Sequence, residues 1–385
     1  MTIFMRLKRR IVLAAVLLAA LSAGAERLHS PTYGYAIDLP EGFFLADKTE
    51  DNRNYLFQSD FLVTQCVIRI NDANEFGSAA ACLDALIRRL QGEGEAEDFL
   101  WKAHDCAVAN LTVQGGLYSG QAACFSLPQD KGFLSVVAFS PAEQADNCMQ
   151  IHLSILDAVY VDEASYFSQG IFTAYAFPRT QSRQVQLQIA GKKISTVIDM
   201  DDEEAENFVI NREFAVMRLY METEHPGWKE AWQRYYRQIY RASFERLNRA
   251  AFDILNALNT DELTEIQYAQ LLLSWVQGMD YRRDQSPNSA DLAPVTAVLQ
   301  NKGSDCDSRS MLLCILMQQA GIDAAMYVSR EFSHALMGIA IDAPGQFFES
   351  AGQRYLLGET TAPVTFGTAP QDVQQRGKWV DILLP

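Results

Sequence analysis

The sequence lacks the short motifs that mark several classes of enzyme. It contains no G-x-S-x-G motif, so it gives no support to a Ser-His-Asp hydrolase. It also has neither a Walker loop nor a dinucleotide-binding fingerprint. No two cysteines are spaced as C-x-x-C, which argues against a structural zinc site. After residue 25 no run of 18 apolar residues occurs, so we expect no membrane-spanning segment in the mature chain.

Positive charge is also scarce in this chain. The 32 Lys and Arg residues are outnumbered by 48 Asp and Glu residues, which gives a formal net charge of −16. A chain this acidic has no electrostatic reason to bind nucleic acid or an anionic membrane surface. Acidity also serves solubility, so the charge excludes partners without naming one.

The first 25 residues have the pattern of a secretory signal peptide. Four basic residues within 1–10 precede the apolar run IVLAAVLLAAL, and SAGA then supplies small residues before Glu26. The apolar run is too short to span a bilayer, although an N-terminal membrane anchor is the alternative interpretation. Cleavage after residue 25 would move the net charge to −20. We therefore expect an exported protein, periplasmic or extracellular.

Seven cysteines occur, at positions 66, 82, 106, 124, 148, 306 and 314. Disulfides are allowed in an exported protein, and the first five cysteines could form up to two bridges. Cys306 and Cys314 are about 12 Å apart along a helix, so they cannot bond to each other. The odd total leaves at least one thiol unpaired within the chain.

The length of 385 residues and the 49% hydrophobic content predict two or three domains with real cores. Residues 26–180 alternate strand patterns, among them MQIHLSILDAVYV, with one clear helix, AAACLDALIRRLQ, and end in a helix near 163–175. This pattern predicts an N-terminal α+β sandwich with an antiparallel sheet. The opening YGYAIDLPEGF and the order of elements resemble the PsbP/Mog1-like fold.

Residues 181–225 are predicted to connect the two domains through extended pieces, QVQLQIAGKKISTVI and FVINREFAVMRLYM. The acidic run DMDDEEAE between them could bind calcium, but a solvated charged turn explains it better because the spaced ligands of an EF-hand are absent. From residue 226 the chain is helical, with an aromatic stripe that we interpret as core. We interpret its arginines Arg234, Arg237 and Arg241 as solvated or paired with the acidic run.

The stretch NKGSDCDSRSMLLC, residues 301–314, places a cysteine at the start of an apolar helix. Ser304 can cap this helix, and Asp307 three residues on completes a capping pattern. Cys306 then lies in the first turn, where free N–H groups and the helix dipole favour a thiolate. A cysteine here is often only a buried thiol, and we interpret Cys314 as core.

Two further residues could complete a catalytic set with Cys306. His334 begins the predicted strand HALMGIAI, and Glu359 ends the predicted strand RYLLGETT. A nucleophile needs a base, and the base needs a group that orients it. Neighbouring strands lie about 4.8 Å apart, so His334 and Glu359 could be within hydrogen-bonding distance.

These three segments resemble the transglutaminase-like superfamily of papain-type cysteine enzymes over about residues 262–365. The resemblance implies a papain-like domain within residues 226–385, in which a cysteine helix packs on an antiparallel sheet. It also implies Cys306 as nucleophile, His334 as general base and acid, and Glu359 as orienting group. Two departures are Glu359, where Asp is usual, and Leu336, where an aromatic residue often follows the histidine.

The implied activity is hydrolysis or acyl transfer at amide bonds of peptides or proteins, through a thioester and without a metal or other cofactor. Gln277, in SWVQGMDY, is a candidate second donor to the oxyanion, although a polar residue at a helix end is the simpler interpretation. We interpret Asp305 and Asp307 as capping and solvent-facing residues. The competing hypothesis is a non-catalytic binding or scaffold protein that retains the fold. A third is an N-terminal ligand-binding domain that regulates the enzyme.

Overall fold

The computed structural model describes residues 27–258, 263–283 and 290–385. The predicted signal peptide, residues 1–25, lies outside the described residues. Helices and antiparallel sheets both contribute, so the predicted α+β class is confirmed. Within the described ranges, no helix is both long enough and apolar enough to cross a bilayer.

A seven-stranded antiparallel sheet forms the centre of the first half of the chain. Its strand order is β3-β4-β5-β9-β8-β7-β6. The strands are β3 (Phe43–Lys48), β4 (Asn54–Ser59), β5 (Gln65–Asn71), β6 (Glu97–Trp101), β7 (His104–Val113), β8 (Tyr118–Ser126) and β9 (Phe133–Pro141). A small sheet of β1 (Arg27–His29), β2 (Ala36–Asp38) and β10 (Val159–Tyr160) lies beside it.

Helices cover both faces of this seven-stranded sheet. Helix α1 (Ala79–Arg89) packs with Ala107 and Ala109, whereas α2 (Ala145–Asp157) packs in the core that contains Cys106 and Val108. Successive residues of a strand point to opposite faces, so the two helices lie on opposite sides. Two short helices follow, α3 (Glu163–Tyr166) and α4 (Ile171–Ala176).

The second half of the chain combines a helical layer with a five-stranded antiparallel sheet of order β15-β16-β14-β13-β17. A hairpin of β11 (Ser182–Ile189) and β12 (Lys192–Asp199) precedes it. The helices are α5 (Asp202–Glu222), α6 (Trp228–Phe244), α7 (Asn248–Leu258), α8 (Glu265–Gln277), α9 (Val295–Leu299) and α10 (Cys306–Gln319). The strands are β13 (Ala324–Ser329), β14 (His334–Ile339), β15 (Phe347–Ser350), β16 (Gln353–Gly358) and β17 (Val380–Leu383).

Two segments predicted as extended are helices. The segment MQIHLSILDAVYV lies mostly in α2, and FVINREFAVMRLYM lies in α5 together with most of the acidic run. Val, Ile and Tyr in both segments also favour strands, but each segment is longer than the strands typical of globular proteins. In α5 the buried residues Ala205, Val209 and Val216 recur at helical spacing. Acidic residues in its first turn also favour the helix through its dipole.

The arginines of α6 are buried and do not face solvent. Arg234 and Arg237 are 2% and 8% exposed, and both contact Asp38 of β2. Arg234 also binds Glu213 of α5, with 2.8 Å between Nη1 and Oε2. Arg241 donates to the carbonyl of Tyr166. The arginines therefore join α6 to the first half of the chain, and their partners lie outside the acidic run.

Candidate active site

The N-terminus of α10 places Cys306 in the first helical position. Asp305 caps the helix, because its Oδ1 accepts a hydrogen bond from the backbone N–H of Ser308 at 2.9 Å. The cap is therefore Asp305, one residue after the predicted Ser304. Except for Asp307 and its last two residues, α10 is buried all around, so the first turn holds Cys306 on a rigid support.

Ser304 instead accepts a hydrogen bond from Arg309, the largest fully buried side chain of the described residues. The Arg309 guanidinium also donates to the carbonyls of Thr360 at 3.1 Å and Met279 at 2.7 Å. This arginine therefore joins the loop before α10 to the segments that follow α8 and β16. Sequence analysis missed it, although its signal is visible as the one basic residue in an otherwise apolar and small-residue helix.

His334 and Glu359 meet where two inner strands of the five-stranded sheet begin and end. His334 begins β14, Glu359 follows β16, and these two strands pair with each other. The distance between His334 Nε2 and Glu359 Oε2 is 2.7 Å. This contact occupies Nε2, and among the described residues the histidine's Nδ1 has no hydrogen-bond partner.

The Glu359 carboxylate is 5% exposed as a residue and is held by several donors. Its Oε1 accepts hydrogen bonds from the backbone N–H and the hydroxyl of Thr361, at 2.7 and 2.5 Å. Burial alone would raise the pKa of Glu359. The bonds from His334 and Thr361 outweigh burial and lower that pKa, because they favour the charged form. The carboxylate therefore stays ionised beside the imidazole.

The Cys306 sulfur is enclosed, and the residue is only 1% exposed. Its S–H donates to Asp307 Oδ1 at 3.2 Å, and the backbone N–H of Ala335 lies near the sulfur. Because Ala335 directly follows His334, the start of β14 lies against the start of α10. The structure thus brings His334 and Glu359 together and places the histidine's neighbour at the sulfur.

The pKa of the Cys306 thiol is raised, opposite to the expectation from its helix position. Burial is the largest cause, and the carboxylates of Asp307 and Asp305 add to it. A helix N-terminus favours a thiolate only modestly when two carboxylates and an apolar core oppose it. The resting state therefore holds a protonated thiol, and a productive reaction requires transfer of its proton as the nucleophile attacks.

Three carboxylates cluster beside this thiol. One oxygen from each of Asp291, Asp305 and Asp307 lies within 4.8 Å of the others. Asp305 is 1% exposed, and burial together with the Asp307 charge raises its pKa to about 7. Asp305 is thus a buried cap. Asp307 is half-buried and accepts a hydrogen bond from the hydroxyl of Tyr236, so it is not simply solvent-facing.

Oxygen ligands of this kind suit calcium or magnesium. Arg283 already pairs with Asp291 at 3.0 Å, however, and offsets part of the charge. The cluster is the place among the described residues where three carboxylates could hold a metal ion.

Gln277 does not face the sulfur as an oxyanion donor. Its Nε2 donates to the carbonyl of Glu359 at 2.8 Å and to that of Val364 at 2.9 Å. An amide nitrogen carries two hydrogens, and both are used here. Gln277 therefore fixes the backbone of the residue that binds His334, and the predicted oxyanion role is wrong for this arrangement.

Two aromatic side chains near the site were not predicted from the sequence. The ring of Trp379 lies 6.3 Å from that of His334 in an edge-on arrangement. Trp379, just before β17, thus places an aromatic ring next to the histidine. Leu336, the position at which the resemblance implies an aromatic residue, is buried within the sheet. Tyr281 is 53% exposed and lies near the Cys306 sulfur, because its backbone pairs with Ser304. Neither shows a sequence signal, because both come from segments outside the three motifs.

The remaining cysteines carry no disulfide in the described structure, and all seven are free and buried. Cys314 is fully buried and donates to the carbonyl of Ala325, which confirms it as a core residue. The two bridges that the sequence allowed among the first five cysteines are therefore not formed here.

Comparison with known proteins gives only distant likenesses. No protein-family profile matches the chain, and no curated protein matches it. The solution structure of cyanobacterial PsbP (CyanoP) from Synechocystis sp. PCC 6803 matches 38% of this chain and 98% of its own, with 13% identity and a TM-score of 0.30.

Two bacterial crystal structures match more of the chain. One, from Bacteroides thetaiotaomicron VPI-5482, covers 89% of this chain and 90% of its own, with 8% identity and a TM-score of 0.24. The other is from Parabacteroides distasonis ATCC 8503 and is named as a proposed protease. It covers 83% of this chain and 70% of its own, with 7% identity and a TM-score of 0.23. Matches this weak do not identify a family for the chain.

Proposed function

We propose that this protein is an exported transglutaminase-like cysteine enzyme that acts on amide bonds of peptides or proteins. The observation that carries the proposal is the 2.7 Å hydrogen bond between His334 and Glu359, at the start of the strand β14 that packs on the cysteine helix α10. A carboxylate that holds one imidazole nitrogen fixes the tautomer and leaves the other nitrogen as base. Cys306 is then the nucleophile, His334 the base and acid, and Glu359 the orienting group.

In this mechanism the thiol proton moves to Nδ1 of His334 as the sulfur attacks the carbonyl carbon. The C–S bond forms, and the electron pair of the C=O bond moves to oxygen. When the tetrahedral species collapses, the C–N bond breaks and the amine leaves with the proton from His334. Water or a second amine then resolves the thioester, which gives hydrolysis or transfer.

A second candidate function is a non-catalytic binding or scaffold protein with the same fold. The enclosure of Cys306, at 1% exposure, and its raised pKa favour this reading. The two candidates differ in one measurable property. Only an enzyme should acylate Cys306 in a reaction that depends on His334.

The test uses p-nitrophenyl acetate, whose acyl group reports attack on a carbonyl without knowledge of the natural substrate. Nitrophenol release and mass mapping of the acetyl thioester would be followed for wild type, Cys306→Ala and His334→Ala. Cys314→Ala is the matched control, because Cys314 lies in the same helix and is buried in the core. We expect thioester at Cys306 in wild type and control, and a loss of about 100-fold or more without His334. Equal, slow acylation of all four proteins would favour the scaffold.

A further inference from the structure

Tyr281 is held beside the nucleophile by the backbone. It lies just after α8 and pairs with Ser304 in an isolated parallel bridge. On its two sides, the N–H of Arg282 donates to the carbonyl of Ser304 at 2.8 Å, and the N–H of Ser304 donates to the carbonyl of Asp280 at 3.2 Å. Because Ser304 precedes Cys306 by two residues, these bonds place Tyr281 next to the first turn of α10.

The ring of Tyr281 has one supported side and one open side. The Arg309 guanidinium lies 5.4 Å from the ring centroid, in the range of a cation–π contact. Arg309 is itself fixed by its three hydrogen-bonding partners. More than half of the tyrosine remains exposed, at 53%, so the ring borders the solvent through which a substrate would approach the enclosed sulfur.

The hydroxyl of Tyr281 lies near the reacting atom. Burial raises the pKa of Tyr281 to about 12, and the neighbouring Cys306 sulfur adds to this rise. The phenol is therefore a neutral donor at physiological pH. The oxyanion forms on a carbon bonded directly to this sulfur, so a donor at the sulfur is also near the oxyanion.

We propose that Tyr281 is a catalytic residue whose hydroxyl donates a hydrogen bond to the oxyanion formed when Cys306 attacks a carbonyl. This inference rests on the proposed function and assigns the donor role that Gln277 cannot fill. As the C–S bond forms, the carbonyl electron pair moves to oxygen and the tyrosine proton stays on the phenol. When the oxyanion collapses, the pair returns and expels the leaving group. The Ala335 N–H, which also lies near the sulfur, can donate beside it.

Two reagents that share the nucleophile but differ in oxyanion formation test this role. Acylation by p-nitrophenyl acetate passes through an oxyanion, whereas alkylation by iodoacetamide is a displacement at carbon and does not. The variant is Tyr281→Phe, which keeps the ring and its contact with Arg309. The matched control is Tyr175→Phe, a 38% exposed tyrosine of α4. Loss of one oxyanion donor lowers rates by about 10²–10³-fold in enzymes.

We expect Tyr281→Phe to acylate Cys306 at least tenfold more slowly, while its alkylation rate and melting temperature stay close to wild type. Unchanged acylation would overturn the proposal. An equal fall in both rates would also overturn it, because it would show that the hydroxyl only shapes the cleft. If Cys306→Ala reacts like wild type with both reagents, the proposed function itself fails, and that outcome is distinct from the other two.

Discussion

Among the charged groups near Cys306, Asp307 raises the pKa of the thiol most, so removing its charge should make the sulfur more reactive. The two side chains share a hydrogen bond of 3.2 Å between Sγ and Oδ1. Two unit charges 4 Å apart interact by about 4 kcal/mol at an effective dielectric constant of 20. Each 1.36 kcal/mol changes the thiolate population by about tenfold. Asp307→Asn removes the charge and keeps the shape, so the thiol's pKa should fall.

The assay is the rate of iodoacetamide alkylation of Cys306 at pH 7, read by mass mapping. Burial raises the pKa of Asp307 itself, which works against its charge. We expect an increase of at least about tenfold, which corresponds to about 1.4 kcal/mol. Asp342→Asn, a fully exposed control, should leave the rate unchanged. Alkylation of Asp307→Asn at or below the wild-type rate would refute the reasoning and point to Asp307 as a proton acceptor that assists the thiol.

Three further predictions concern buried charges. Glu359→Gln should slow acylation of Cys306 by about 10²–10⁴-fold without unfolding the protein, because His334 loses its charged partner. Burial raises the pKa of Glu41 to about 7, from an ordinary value of 4.5. The folded state therefore favours protonated Glu41; this contribution to stability is complete below about pH 4.5 and is lost as the pH rises through 7. The free energy of unfolding of the wild type, measured with urea, should therefore fall between pH 5 and 8. In Glu41→Gln that fall should be smaller by about 1–3 kcal/mol. Arg234→Met should cost about 3–5 kcal/mol in the same assay, because it leaves Glu213 buried without this partner.

Each of these has a matched control at the surface. Glu349→Gln and Glu50→Gln change exposed glutamates, so acylation and the pH profile should stay as in wild type. Arg218→Met breaks an exposed pair within α5 and should cost less than about 1 kcal/mol. A wild-type stability profile that is flat from pH 5 to 8 would contradict the assignment of Glu41. A loss at Arg234 no larger than that at Arg218 would mean that Glu213 tolerates the removal of this partner, which would contradict the prediction.

The sequence could predict the elements of the candidate site because each follows from local chemistry. A small polar stretch before an apolar run predicted the start of α10 to within a residue, and strand patterns located His334 and Glu359 at the ends of β14 and β16. The sign of the thiol's pKa shift could not be predicted. It depends on how deeply Cys306 is buried and on which way Asp307 points, and both are set by packing with α6 and β14.

The errors in the fold have one common physical cause. The segments 149–161 and 208–221 are rich in residues that also favour strands, and this composition outweighed the length of each segment, which favours a helix. Tertiary packing decides between the two. Helix α2 covers the seven-stranded sheet and is buried for most of its length, and α5 packs against α6 through Glu213 and Arg234. The partners of these charges lie far away in sequence, so local pattern does not contain them.

Helix α6 contacts both the first half of the chain and the candidate site. One of its faces binds Asp38 of β2 through Arg234 and Arg237, and Tyr236, between them in sequence, donates to Asp307 beside the thiol. A buried charge network of this kind contributes little net stability, because desolvation offsets the attraction, but it defines one geometry. The contacts that hold α6 against β2 therefore also help to set where the Tyr236 hydroxyl meets Asp307. Since the Asp307 charge raises the pKa of the thiol, the electrostatic environment of Cys306 is linked through α6 to the first half of the chain.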